Sequence, residues 1–478
     1  MNSPFGGLKT KMKMPDAINT MKSVYLIGIG GIGMSALARF FRSTGAKVSG
    51  YDRAESPLTR QLMTEGIDVH FDEDVSKIPK DADLVIYTPA VPAGHRELVY
   101  YMDHHYKVMK RSDVLQLITQ DTYNICVAGT HGKTTTTTMI AHLLRDSGFA
   151  CNAFLGGISV NYGTNFWSQD GGTPAVSVVE ADEYDRSFLK LSPDVAVVTA
   201  MDPDHLDIYG TAGAMEEAFI DFTKKIRPGG VLIAKFGLHR SGELDGSRKL
   251  TYSLQNDSAD AFAKNIRMNN GSYEFDVEVD KKEFADLTLH MGGMHNVENA
   301  VAAIAVAKTL DIEAVRIRQA IGNFKGVRRR FEYIIRNERL VFIDDYAHHP
   351  EELRALITGA KSLFPQRKCT VIFQPHLYSR TKDLAEGFAA SLDLADAVVL
   401  LPIYPARELP LPGVNSEMII GKMKLADRRV VAKHELINWV EREYMPSMNT
   451  EFGEVLITAG AGDIDALVEP LKNALQGG

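Results

Sequence analysis

The residues best placed to do chemistry lie in AGTHGKTTTTT (128–138), where Gly132, Lys133 and Thr134 follow an apolar strand-like run. That order suits a phosphate loop: backbone N–H groups cradle phosphates, Lys133 supplies a point charge, and the Thr134 hydroxyl can ligate Mg²⁺. The loop departs from the full Walker A pattern, which wants glycine where this chain has Val127. Its partners should stand at the ends of neighbouring strands. Glu180 ends the run AVSVVE, and a carboxylate at a strand tip is what Mg²⁺ beside phosphates requires. Asp182, Glu183 and Asp185 follow and read as solvated loop acids. His205, in DPDHLD, stands just past the next apolar run.

A second glycine turn comes earlier. Gly28, Gly30 and Gly33 form GxGxxG between a strand-like run and an amphipathic stretch, and Asp52 ends the next run. Glycines there allow a tight turn and a close phosphate approach, and an acidic residue at Asp52 meets a ribose hydroxyl. The motif suits NAD or a nucleotide-sugar diphosphate equally, and glycines that merely pack a helix on a strand would look the same. Further along, Asn296 and Asn299 share a helix face at i and i+3. Arg328, Arg329 and Arg330 form a basic run, and His348 and His349 precede Pro350.

The elements that must position these residues repeat as strand, glycine turn, helix. VYLIGI (24–29) and LVIYTPAVP (84–92) belong to a first α/β section. AVSVVEAD (175–182), VAVVTAMD (195–202) and VLIA (231–234) belong to a second, with SYEFDVEVD (272–280) and DLTLHMG (286–292) alternating like an antiparallel patch. LVFIDDYAHHP (340–350), CTVIFQPH (369–376), AVVLLPIY (397–404) and EVLITAGAGDI (454–464) form a third. The expected fold is α/β with three domains in series: Rossmann-like, P-loop ATPase-like and Rossmann-like. Expected boundaries are 1–20 (an extension), 21–120, 121–325 and 326–478.

Composition agrees with that scale. At about 150 residues per domain, 478 residues make roughly three domains, and 45% apolar with 24% charged residues is ordinary for a globular chain. A net charge of −8 argues against a general nucleic-acid binder. Cys126, Cys151 and Cys369 are scattered without a CxxC pair, which argues against a metal knuckle and fits a reducing compartment. The N-terminal stretch lacks a signal-peptide core, and no apolar run reaches membrane-span length. The expectation is a cytoplasmic protein without membrane insertion; oligomeric state is not legible.

Taken together, GIGGIGMS (28–35), GTHGKTTTT (129–137), EADE (180–183), DHLD (204–207), MHNVENA (294–300), RRRF (328–331), DDYAHHP (344–350) and FQPHLYSRT (373–381) resemble the muramyl ligases of cell-wall synthesis. The matches run in order along almost the whole chain from residue 21. DDYAHHP with QPHLYSRT resembles the alanine-adding branch. The sister branch that reattaches a recycled tripeptide shares the ATP motifs but does not usually carry QPHLYSRT.

The resemblance implies ATP-dependent joining of L-alanine to UDP-N-acetylmuramate through an acyl phosphate. It implies that Gly28, Gly30, Gly31, Gly33, Ser35 and Asp52 bind UDP rather than NAD. ATP falls to Gly129, Thr130, His131, Gly132, Lys133, Thr134 and Thr135, with Asn296, Asn299, Arg330 and Asp345. Thr134, Glu180 and His205 hold Mg²⁺; Lys133, Glu180, His205 and Arg330 are the catalytic set. Tyr346, His348, His376 and Arg380 face the amino acid. Two departures stand out: MEEAFIDF (215–222) lacks the lysine that several relatives carbamylate, and Leu377 replaces an arginine found in some alanine ligases. Competing readings are a nicotinamide-dependent oxidoreductase, which leaves the GKT loop unexplained, and a non-catalytic nucleotide-binding regulator.

Overall fold

The computed structural model describes residues 18, 20–168, 176–203, 206–406 and 408–477. They fall into two compact units. One takes the described residues up to Lys264 with Asp276–Leu287 and Glu298–Phe324; the other takes Asn265–Phe275, Thr288–Val297 and the chain from Lys325 onward.

The first sheet comprises β1 (Ser23–Ile27), β2 (Lys47–Tyr51), β3 (Asp68–His70), β4 (Leu84–Tyr87) and β5 (Val108–Lys110), in the order β3-β2-β1-β4-β5. All four pairings are parallel. The strand order reverses between β1 and β4, and in such sheets the crevice beyond the carboxyl ends at that point is where ligands bind. Gly28 follows β1 directly. All five β1 residues, SVYLI, are buried, as expected of a strand covered on both faces.

Ten strands form the second sheet: β6 (Tyr123–Ala128), β7 (Asn152–Phe154), β8 (Phe166–Trp167), β9 (Val176–Glu180), β10 (Val195–Val198), β11 (Val231–Lys235), β12 (Arg248–Ser253), β13 (Ala261–Asn269), β14 (Ser272–Val279) and β15 (Lys282–Leu289). Their order is β15-β14-β13-β12-β11-β10-β6-β9-β7-β8. β6 therefore lies between β10 and β9 and pairs parallel with both, setting Val127 opposite Glu180 and Ala128 opposite Val198. Parallel register thus delivers the glycine loop after β6 and the carboxylate ending β9 to the same sheet edge.

Two contacts within this unit hold the helix Ile32–Ser43 against β7 and β8. Phe40 packs on Phe154 and Phe166 at 5.6 and 5.8 Å between ring centroids. Buried aromatic pairs of this kind add about 0.5–1.5 kcal/mol each beyond area burial. Asn165 donates to the Ile32 carbonyl (2.5 Å) and the Ser35 hydroxyl (3.0 Å), and Arg39 reaches both Asn165 and Glu65.

The third sheet, in the second unit, comprises β16 (Glu332–Arg336), β17 (Leu340–Asp345), β18 (Lys368–Phe373), β19 (Ala397–Leu400), β20 (Arg428–Val430) and β21 (Glu454–Ala459), in the order β16-β17-β21-β18-β19-β20. Only β16 runs antiparallel to its neighbour. Phe342, Ile372, Val399 and Leu456 are buried here with Leu436, Val440 and Leu471. Among the described residues no helix is long and apolar enough to cross a membrane.

Candidate functional site

The loop after β6 is shaped by two glycines that no other residue can replace without strain. Gly129 has φ +136°, and a Cβ there would lie 2.2 Å from Thr199 Oγ1; Gly132 has φ +81°, with a Cβ 2.9 Å from Asn299 Oδ1. Both conformations belong to the left-handed half of backbone space that favours glycine. The loop is also tied to the end of β10: Thr199 donates to the His131 carbonyl (2.5 Å), and Thr130 N–H donates to the Ala200 carbonyl (3.2 Å).

Gly132 caps the helix Lys133–Asp146, with no side chain bonding its first turn. Those N–H groups and the helix dipole together favour an anion. The β-branched run behind it is poor helix material. Thr137 and Thr138 return their hydroxyls to the Lys133 and Thr134 carbonyls (2.7 Å each), whereas the buried Thr136 hydroxyl has no hydrogen-bond partner among the described residues.

Lys133 Nζ donates to the Gly129 carbonyl and to Glu183 Oε1, both at 2.7 Å. Thr134 Oγ1 donates to Glu180 Oε1 (2.9 Å), and Glu180 Oε2 accepts from Gly156 N–H (2.9 Å). Glu183 corrects the expectation of a solvated loop acid: it is 0% exposed, and burial raises its carboxyl above the usual range while Lys133 opposes that shift. The Tyr209 hydroxyl donates to its main-chain carbonyl (2.6 Å), fixing the turn that brings it inward. Gly156 is a second residue that motif reading missed. A Cβ there would sit 2.3 Å from Glu180 Oε2, so the absence of a side chain makes room for the carboxylate. His205 lies outside the described residues.

At the first sheet, Gly30 N–H donates to Asp52 Oδ2 (2.7 Å) and Arg53 N–H to Asp52 Oδ1 (2.8 Å). Asp52 therefore braces the glycine turn. Gly28 has φ +85° and abuts Thr88 past β4. Ser35 is fully buried and its hydroxyl donates to the Ile32 carbonyl (2.9 Å), so its side chain serves the helix and Asn165. A cleft of about 510 Å³ runs from Gly31–Gly33, Thr88 and Arg111 to Gly156, Glu180 and Asp182. The first glycine turn and Glu180, the partner of Thr134 in the phosphate loop, thus line one space.

In the second unit, Asp345 Oδ2 accepts from Phe331 N–H and Oδ1 from Ala347 N–H, both 2.7 Å. Desolvation pushes its carboxyl up to about 6 against those bonds and Arg330. Arg330 stands between Arg329 (φ +59°) and Phe331 (φ +50°), two non-glycine residues in left-handed conformations. Tyr346 N–H donates to the Arg329 carbonyl (2.7 Å), which joins this strained turn to the end of β17. Tyr346, His348, His376 and Tyr404 form a row, with ring centroids 5.2, 6.4 and 5.7 Å apart. His376 Nδ1 and Arg380 Nη1 are buried without a hydrogen-bond partner among the described residues. Burial, then Arg380 and His348, lower the His376 pKa. Asn296 and Asn299 share the helix Met294–Thr309 but serve different partners: Asn296 Nδ2 donates to the Gly292 carbonyl (2.6 Å), whereas Asn299 abuts Gly132.

Oxygen donors at Thr134 and Glu180, next to a lysine and uncapped helix N–H groups, suit Mg²⁺ carried on phosphate oxygens. Among the described residues no group of three or more His, Cys, Asp or Glu is placed to hold a metal. A cation held mainly by phosphates and water needs only one or two protein oxygens, so Thr134 and Glu180 fit it.

Fold and site define a nucleotide-binding α/β protein with a phosphate loop and a separate glycine turn, the latter sharing a cleft with Glu180. Three family models match in order: Mur ligase family, catalytic domain (23–123); Mur ligase middle domain (127–307); and Mur ligase, glutamate ligase domain (329–462). The chain belongs to the Mur ligase family, with its three domains in series. A UDP-N-acetylmuramate–L-alanine ligase of Flavobacterium johnsoniae is 45% identical over 462 residues, covering 96% of this chain and 99% of its own. One from Parabacteroides distasonis is 47% identical over 464 residues, covering 96% and 98%. The crystal structure of a UDP-N-acetylmuramate–alanine ligase from Thermotoga maritima superposes with a TM-score of 0.79 at 29% identity, covering 96% of this chain and 99% of that one.

Proposed function

We propose that the chain joins L-alanine to the lactyl carboxylate of UDP-N-acetylmuramate, using ATP, in the synthesis of peptidoglycan precursors. The observation that carries this reading is the shared cleft: the glycine turn suited to a nucleotide diphosphate and Glu180, partner of the phosphate-loop Thr134, line one cavity. A substrate with a diphosphate at one end and a carboxylate at the other fits that arrangement. The full-length likeness to alanine ligases supports the choice of substrates.

In the proposed reaction a carboxylate oxygen attacks the γ-phosphorus and the bond to ADP breaks, leaving an acyl phosphate. The neutral amine of alanine then attacks the acyl carbon, phosphate departs, and the amine gives its proton to a base or water. Gly129–Thr135 bind and orient the phosphates, and Lys133 offsets charge on the transferred oxygens. Mg²⁺, held by Thr134 and Glu180 and, on the family resemblance, by His205, supplies further charge neutralisation when bound. On the same resemblance, Asn296, Asn299, Arg330 and Asp345 serve ATP, and Tyr346, His348, His376 and Arg380 serve alanine. The domains 21–120, 121–325 and 326–478 correspond to sugar nucleotide, ATP and amino acid. Holding three reactants in register recovers much of the entropic barrier. The reaction is assigned to the cytoplasm, in keeping with three buried free thiols.

Phosphate release tests the reading. With ATP, Mg²⁺ and UDP-N-acetylmuramate, alanine should give turnover well above glycine, serine or the murein tripeptide. Turnover with the tripeptide and none with alanine would assign the recycling reaction instead. Tight NADH binding that UDP does not displace would return the oxidoreductase reading.

A further inference from the structure

Arg111 lies against the third glycine of the first turn. A Cβ at Gly33 would lie 2.7 Å from Arg111 Nη1 and 3.2 Å from its Cδ, so the guanidinium rests on the bare backbone of the turn. Arg111 comes from the start of the helix Arg111–Thr119, directly after β5. It is partly buried and lines the cleft beside Gly31 and Gly33. Its guanidinium makes no ion pair or hydrogen bond among the described residues. The nearby acid Asp113 is taken by Lys190. Glu180 and Asp182 line the same cleft, so it holds carboxylates as well as the Arg111 cation.

A guanidinium held in place without a counter-ion, over a turn whose helix has no side-chain cap, is arranged for a planar, multidentate acceptor. We infer that Arg111 is a binding and specificity residue for the diphosphate of the sugar nucleotide, placing the carboxylate end of that substrate toward Glu180. The inference rests on the sugar-nucleotide reading of the cleft and adds a residue outside its glycine motif. Arg111 contacts substrate away from the reacting atoms, so it acts on affinity more than on turnover.

The test is isothermal titration of the full chain with UDP and with uridine, which shares the nucleoside and lacks the phosphates. Wild type should bind UDP far more tightly. Arg111→Gln should weaken UDP by about ten- to a hundredfold, the range of a lost charge-assisted contact, and leave uridine unchanged. In turnover, the same variant should raise KM for the sugar nucleotide and leave KM for ATP within about twofold. A wild-type preference for UDP that persists in Arg111→Gln overturns the assignment alone. A wild type that binds UDP no better than uridine overturns the sugar-nucleotide reading along with it. If Arg111→Gln binds neither compound, Arg111→Lys decides: UDP affinity reduced at least about threefold with uridine unchanged supports the role, and unchanged UDP affinity refutes it.

Discussion

Lys133 Nζ sits 2.7 Å from Glu183 Oε1, and that carboxylate is wholly removed from solvent. The phosphate-loop lysine is therefore held by a buried counter-charge as well as by the Gly129 carbonyl.

Removing one member of such a pair strands a charge, which typically costs about 3–5 kcal/mol. Lys133→Met and Glu183→Gln should each destabilise the chain by that order, and the double variant by clearly less than the sum. Urea unfolding of the four proteins measures the coupling. Strict additivity would show that the two charges do not support one another.

Gly156 lies outside every glycine motif, yet only hydrogen occupies the space beside Glu180 Oε2. Gly156→Ala should displace that carboxylate, raise the Mg²⁺ concentration needed for half-maximal phosphate release, and lower turnover at least about tenfold. Gly163→Ala makes a useful comparison for strain alone, because Gly163 has φ +64° and open space around it. An unchanged Mg²⁺ requirement in Gly156→Ala would remove Glu180 from the metal site.

Leu377 holds φ +69° at the cap of the helix Tyr378–Leu392, with its N–H bonded to the Tyr404 carbonyl. A side chain in that conformation stores roughly 1–3 kcal/mol. Leu377→Gly should raise the unfolding temperature by a few degrees while increasing KM for alanine, because the rigid turn aims His376 and Arg380. Calorimetry and steady-state kinetics read the two effects separately. A lowered unfolding temperature would show that Leu377 contributes more by packing than it costs in strain.

Asp344 is 1% exposed and accepts from Arg329 Nε (3.3 Å) and the Thr458 hydroxyl (2.6 Å). Burial, opposed by Arg329, pushes its carboxyl up to about 7. A folded value above the unfolded one means the folded chain binds the extra proton. Its stabilising contribution is complete below about pH 4 and fades as pH rises through about 7. Wild type should lose thermal stability between about pH 4 and 7, and Asp344→Asn should flatten that slope. Parallel slopes in the two proteins would mean that another group sets the dependence.

The glycine spacing of the two turns and the GKT order were readable from residues alone because they encode local backbone geometry. A left-handed φ at Gly28, Gly129 or Gly132 is a property of one position, and few residue types tolerate it. The apolar runs that became β1, β4, β6, β9, β10, β17, β18, β19 and β21 were equally plain, since strands covered on both faces must be apolar throughout. The short strand β8 and the polar strands β12 and β16 carried no such signal; each is defined by the neighbour it pairs with.

Glu183 shows where local reading stops. In sequence it is one of four acids within six residues, and nothing in their spacing marks which one turns inward. Tyr209, 26 residues on, and Lys133, 50 residues back, decide that. Gly156 and Gly33 are similar cases, because Glu180 and Arg111, distant in sequence, occupy the space a side chain there would need. The sequence by itself determined the α/β class, the two phosphate-suited turns and the family. Tertiary structure decided which acid pairs with Lys133, which glycine admits Glu180 and which arginine lies on Gly33, because burial and counter-charge are set by chain segments that meet only on folding.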